Sequence, residues 1–391
     1  MGFLKQQEIG RHDRGLAHPR DTKVCSHHIR DYAINRYIKT NGQRDKCSYC
    51  NKSRIVMELE DLAEFMSESI SLFYSDAANW MFYQSSEGGY LGASTFSMDE
   101  ILFEEFELDI DTYQLQDDLG SAFDQGIVWC ERDPYELRED QGLTYEWDNF
   151  KETVKHSSRF LFKKPVKKIW DHYAKGPFDI LEDVSRRIND LNLFYTVKAG
   201  TSIYRSRQHT KTESVGLLKD IVSPPTENAI QSNRMSPAGI SMFYGAFDKE
   251  TAERETIDDK SRIKGKDQLS TGLLQNKNEL VLIDLCNIPD VPSIFDSERN
   301  QFYYTTRFLK QFVVDLSKDI ERDDREHIEY VPTQIVTEYL RYAFEPKSKR
   351  QVDGIIYPSS KNKGGKTCVL FFDHKDSLKK MQLIRLSTEG L

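Results

Sequence analysis

Near the start of the chain, four residues are spaced to hold a metal. Cys25 and His28 form C-x2-H, and Cys47 and Cys50 form C-x2-C. Each short loop offers two ligands to one ion. Thiolate and imidazole at this spacing suit tetrahedral zinc with every position filled by protein, so the site is expected to fold the segment rather than to do chemistry. His27 competes with His28, because C-x-H also reaches. The residues between the pairs supply a small helix and a turn at Asn41-Gly42.

A second polar set lies far downstream. Arg205 follows "IY". Arg234 opens "RMSPAGISMFYGAFDKETAERE", where Ser236, Pro237 and Gly239 mark a loop and Phe243, Tyr244 and Phe247 form an apolar run. Asp248 is a good helix cap, and the helix it starts carries Glu255. Ser359 ends "GIIYPS", where a strand runs into a glycine-rich turn. The ends of strands and the loops between them are where sites are usually built.

The elements that must position these residues change character along the chain. Ile55, Leu59, Leu62, Met66, Ile70, Phe73, Ala77 and Trp80 recur at helical spacing, with Ser53 as an N-cap. Ser97 caps a second helix through "MDEILFEEFEL", and a third follows near "EWDNFKETVKHSSRF". The block to about residue 183 therefore reads as mainly helical, with its apolar stripes as core. From residue 195 the texture is α+β. "LFYTVKAGTSIYRSR" reads as strand–turn–strand, "ELVLIDL" as a buried strand, and "VDGIIYPSS" and "KTCVLFF" as two strands joined by "KNKGGK". Helical spacing returns at Phe302, Thr306, Leu309, Phe312 and Leu316, and Pro332 suits the first turn of a further helix.

Composition bounds the functional classes. The 391 residues suggest two or three domains, and no apolar run approaches a membrane span. The N-terminus lacks the apolar stretch of a secretory signal, and six scattered cysteines do not form a disulfide scaffold, so a cytosolic protein is expected. Charge is divided by region. Residues 1–54 carry 12 Lys+Arg against 5 Asp+Glu, whereas residues 55–131 carry 18 Asp+Glu and no Lys or Arg. That acidic block argues against nucleic acid as a partner.

The stretches "YRSR", "RMSPAGISMFYGAFDKETAERE" and "VDGIIYPSSKNKGGKTCVLFF" resemble the three motifs of the RES family, whose name records an arginine, a glutamate and a serine. The resemblance covers about half the chain. The N-terminal half resembles the HEPN-type domain that precedes RES in longer members. There C-x2-C…C-x2-C opens the domain, and here His28 stands at the second position. The division this implies is a tail over 1–20, a zinc-binding segment over 21–52, a HEPN-like helical domain over 53–183 and an α+β RES domain over 184–391. The last resembles ADP-ribosyltransferase folds.

The resemblance implies an enzyme that consumes NAD, in several relatives as the toxin of a toxin–antitoxin pair. NAD would be the substrate, zinc a structural ion, and an antitoxin or regulatory protein a further partner. Carried over by position, Arg205, Glu255 and Ser359 are catalytic, while Arg234 and Tyr244 bind substrate; Tyr204, beside Arg205, is a further substrate-binding candidate with the core as its alternative place. The family register selects Glu255 over Glu253, whose side chain leaves another face of the helix. Two arginines suit a pyrophosphate, a tyrosine stacks on a ring, and a carboxylate stabilises an oxocarbenium-like ribose as nicotinamide departs. Transfer of ADP-ribose to a macromolecule is the alternative within enzymology. Nucleic-acid cleavage by the helical block is a second, but its nearest R-x4–6-H match, Arg20 to His27, runs into the proposed metal site.

Overall fold

A computed structural model describes residues 11, 14–160, 178–257, 266–318, 320 and 325–391. Its contacts divide the chain into two units. The first is Met1–Glu139 with Asp290–Thr305, and the second is Asp140–Pro289 with Thr306–Leu391.

The first unit opens with a three-stranded ribbon. Strand β1 is Lys23–Cys25, helix α1 Tyr32–Asn41, β2 Gln43–Lys46 and β3 Ser53–Glu58, in the order β1-β3-β2. Asp31 caps α1, its carboxylate accepting from the Ala33 and Ile34 amides at 2.9 Å. Gly42 ends it where a Cβ would sit 2.4 Å from the Val56 carbonyl, so only glycine lets the chain turn back into β2. Helix α2, Leu59–Ile70, buries Leu59, Leu62, Met66 and Ile70 at helical spacing. These join Val24, Ile34, Phe123, Ile294 and Phe295 in one apolar cluster.

Ser53 is the first residue of β3, not a helix cap, and the helix starts at Leu59. The run Arg54-Ile55-Val56 is better used pairing with β2, where its backbone groups find partners. The remainder of this unit is mixed rather than a helical bundle. Short strands at Tyr74–Asp76, Thr95–Phe96 and Trp129–Glu131 form a second small sheet. Ser97 does act as a cap: its hydroxyl accepts from the Glu100 amide at 3.2 Å while the Glu100 carboxylate takes the Ser97 amide at 2.6 Å.

The second unit is built on one eight-stranded sheet. In chain order its strands are β4 Phe194–Val197, β5 Ser202–His209, β6 Phe243–Ala246, β7 Gln268–Asn276, β8 Leu280–Asp284, β9 Gly354–Pro358, β10 Lys366–Leu370 and β11 Met381–Gly390. Their spatial order is β11-β7-β5-β6-β10-β9-β8-β4. Strands β8 and β9 run parallel and every other neighbouring pair runs antiparallel. The predicted strands β4 and β5 both form, but the sheet separates them. Alternation divides the core in two. Ile355, Tyr357 and Val369 join one apolar cluster, and Ile356, Cys368 and Leu370 the other. Helix α3, Asp179–Asp190, adds Ile180, Val184 and Ile188 to the first cluster.

One feature of the sheet matters for the site. Strands β5 and β6 share a single residue pair, Tyr204 with Ala246, whereas β5 pairs with β7 over eight residues. The two strands part beyond Tyr204.

Candidate active site

Glu255 is placed by a short helix, α4, Lys249–Thr256. Asp248 caps it, accepting from the Thr251 amide at 2.8 Å through Oδ1 and from the Thr251 hydroxyl at 2.7 Å through Oδ2. The far end is held by Thr256, whose hydroxyl reaches the Ser206 carbonyl of β5 at 3.4 Å. From this helix Glu255 Oε1 accepts a short hydrogen bond from the Ser359 hydroxyl. Ser359 follows β9, and its Oγ also accepts from the Asn362 and Lys361 amides at 2.9 and 3.2 Å. Glu253 goes elsewhere: it accepts from Thr271 Oγ1 at 3.0 Å and pairs with Lys249 at 3.3 Å.

Tyr357 is the group that feels the Glu255 carboxylate, and Tyr244 and Arg234 act in turn on Tyr357. Tyr357 precedes Ser359 by two residues and so faces the same side of the sheet. Burial pushes its hydroxyl up, and the charges of Glu255 and Tyr244 push in the same direction. Tyr244 is held up at about 12 by burial, against the pull of Ser236 and the Met235 backbone. Its hydroxyl lies 2.8 Å from Ser236 Oγ. Tyr204 pairs with Ala246 at the point where β5 and β6 part.

The two arginines are engaged with backbone. Arg205 Nη1 donates to the Tyr244 carbonyl at 2.7 Å, and its guanidinium lies 5.3 Å from the Phe243 ring centre. It bridges the parting strands. Burial lowers it to about 10, still charged at neutral pH. Arg234 spends Nη1 on the carbonyls of Leu316 and Lys318, at 2.9 and 2.6 Å. These close the end of helix α5, Tyr303–Ser317. Its Nη2 lies 3.4 Å from Ser360 Oγ. So the carboxylate and the serine meet directly, whereas Arg205 bonds to the Tyr244 backbone and not to Glu255.

The metal-type residues also come together. The ligand atoms of Cys25, His28, Cys47 and Cys50 all lie within 4.8 Å of one another. His28 is buried and His27 exposed, which settles that His28 joins the cluster. Asp111 Oδ1 sits 2.7 Å from His28 Nδ1, and the buried Nε2 has no partner of its own. That is how an imidazole looks when one nitrogen is oriented by a carboxylate and the other is reserved for an ion. The Cys47–Cys50 turn closes with the Asn51 amide on the Cys47 carbonyl at 2.9 Å, Asn51 taking a left-handed φ of 58°. Burial holds the Cys25 thiol up at about 12, a cost that a bound cation removes.

Residues 202–387 match the RES domain, and residues 40–168 match HEPN/RES N-terminal domain 1. The chain is a RES-domain protein. No curated protein and no solved structure matches it. RES domains act on NAD, which supports a toxin-type, NAD-directed function at the level of the family. Among the described residues, no helix is long and apolar enough to cross a membrane.

Sequence reasoning missed several neighbours of the two candidate sites. Tyr357 was findable, since Ile355, Tyr357 and Ser359 alternate onto one face. Asp111 was not, because no local pattern ties it to His28. Thr251 and Asn362, whose side chains bond at 2.7 Å, lie in the quoted motifs but read as filler.

Proposed function

We propose that this protein cleaves the nicotinamide N-glycosidic bond of NAD and passes the ADP-ribosyl group to water or phosphate. The observation that carries the reading is the pairing of Glu255 with Ser359. It leaves Glu255 Oε2 without a hydrogen bond among the described residues. The C1′–N bond breaks with its electron pair going to nicotinamide, which departs as a neutral base and needs no strong acid. The ribosyl centre left behind is positive. A fixed carboxylate oxygen stabilises it more than it stabilises the neutral sugar of bound NAD. An oxygen of water or phosphate then bonds to C1′ and gives up its proton to solvent.

Arg205, half-buried and charged, offers its remaining donors to the pyrophosphate. Arg234 acts by holding the end of α5 and the loop after β9 in place. Tyr244 supplies a rigid ring at the edge of the site. In the first unit, Cys25, His28 through Nε2, Cys47 and Cys50 hold zinc, which supplies a fold-stabilising crosslink.

The test is release of nicotinamide from NAD by the purified protein, with and without phosphate. Release is expected, with phosphate dependence naming the acceptor. Intact NAD under both conditions overturns the reading. Label transferred from NAD to a protein or nucleic acid in added lysate would assign transfer in its place.

A further inference from the structure

A serine hydroxyl has one proton to donate and two lone pairs to accept with. At Ser359 both acceptor directions are filled, by the amides of Lys361 and Asn362 at 3.2 and 2.9 Å. The proton therefore has one destination, Glu255 Oε1. The loop that supplies the two amides is itself anchored. Its ends close through the Ser359 amide on the Gly365 carbonyl and the Gly365 amide on the Asn362 carbonyl, both at 2.9 Å. Asn362 Nδ2 donates to Thr251 Oγ1 at 2.7 Å, and Thr251 donates on to Asp248 at 2.7 Å. Gly365 lies so close that a Cβ there would sit 2.3 Å from Thr251 Oγ1.

These contacts form a closed ring. It starts at the cap of α4, crosses through Thr251 and Asn362 to the loop, turns through Ser359, and returns to α4 at Glu255. Thr251 is fully buried, so its hydroxyl has no water with which to replace these partners. We infer that Thr251 and Asn362 are positioning residues for the NAD-cleaving site. They fix the loop so that the Ser359 hydroxyl points only at Glu255 Oε1, which leaves Oε2 for the substrate. Ser359 is then an orienting donor and not a nucleophile. This inference rests on the proposed cleavage of NAD, so its test includes a reading that does not depend on activity.

The variants are Asn362→Ala, Thr251→Val and Thr251→Ser, alone and in a Ser359→Ala background. On otherwise wild-type protein, Asn362→Ala and Thr251→Val should lower kcat for nicotinamide release about tenfold or more while KM for NAD stays put. Thr251→Ser, which keeps the hydroxyl, should restore most of the rate. In the Ser359→Ala background the same changes should cost nothing further, because the group they orient is gone. Amide hydrogen exchange at Lys361 and Asn362 should be slow in the parent protein. It should quicken in Ser359→Ala, in Thr251→Val and in Asn362→Ala. Full additivity with Ser359→Ala, a rise in KM at constant kcat, or unchanged exchange overturns the inference. If the parent protein leaves NAD intact, the proposed function fails, and the exchange data alone decide whether the ring exists. If Thr251→Val does not fold, Asn362→Ala, at a half-buried loop position, carries the same comparison.

Discussion

Glu253 and Glu255 leave the same helix two residues apart and meet different strands. Glu253 accepts from Thr271 of β7 at 3.0 Å, while Glu255 accepts from Ser359 at the end of β9. Two carboxylates of equal intrinsic chemistry thus have separate duties. One ties helix to sheet, and the other is held by Ser359, its charge felt at Tyr357, with an oxygen to spare.

Glu255→Gln should therefore lose nicotinamide release by roughly a hundred- to a thousandfold, equivalent to about 3–4 kcal/mol of transition-state stabilisation, with NAD binding retained. Glu253→Gln should stay active. Rates and NAD affinity measured side by side check this. An inactive Glu253→Gln with an active Glu255→Gln would reverse the assignment.

Arg234→Ala should act first on stability. It strips a charged donor from two carbonyls at the end of α5, where a cation also complements the helix dipole. A loss of roughly 2 kcal/mol is expected in denaturant unfolding. Arg205→Ala should instead weaken the hold on the pyrophosphate, raising KM more than it lowers kcat. Steady-state kinetics beside unfolding curves separate the two arginines.

Asp315 gives a pH-dependent prediction. Burial alone would raise its pKa, but Lys151 Nζ at 2.7 Å and Trp147 Nε1 at 2.6 Å outweigh burial and hold the carboxyl below the usual carboxylate range. A depressed folded pKa means stability that is fully present above the unfolded value and lost as pH falls through the folded one. Asp315→Asn should cost about 1–2 kcal/mol at neutral pH. That gap should close as the pH drops below about 4, which thermal unfolding across a pH series would show. A gap that persists in acid would mean that packing, not charge, is at stake.

The metal cluster predicts one tightly bound zinc per chain. Cys47→Ser should abolish binding and unfold the first unit. Asp111→Asn should keep the fold but weaken zinc affinity by about ten- to a hundredfold, because the carboxylate only orients His28. Elemental analysis and competition with a chelator give both numbers. Less than half an equivalent of zinc in the parent protein would count against the site.

Legibility in the sequence followed the range of the interaction. Leu280–Asp284 was readable as a buried strand because all its residues are apolar or end-capping, and all five are buried. The metal quartet was readable because each pair sits in one short loop. Asp248 was readable as a cap because capping is local. What escaped depends on distant chain. The carbonyls that Arg234 holds come from Leu316 and Lys318, and the carboxylate behind His28 from Asp111. Ser53 misled because β-branched residues beside a helical stripe extend its apparent period, and only the pairing of β3 with β1 and β2 reveals a strand. The ADP-ribosyltransferase-like architecture remains an implication of the family resemblance, since no solved structure matches the chain.

The division of the chain has a consequence for how such a protein can evolve and be taken apart. Ile294 and Phe295 are encoded within the RES stretch, yet they are buried in the first unit's apolar cluster, and Asp296 there accepts from Tyr32 at 2.8 Å and Arg36 at 2.8 Å. A gene fragment stopping before residue 290 would make the first unit without part of its own interior. A fragment starting at residue 140 would carry that plug as an orphaned hydrophobic loop. The two halves are thus not interchangeable cassettes. Recombination at a single crossover cannot transplant either one intact, and a graft of the NAD-directed half onto a new partner must bring along, or redesign, the residues that close the other half's core.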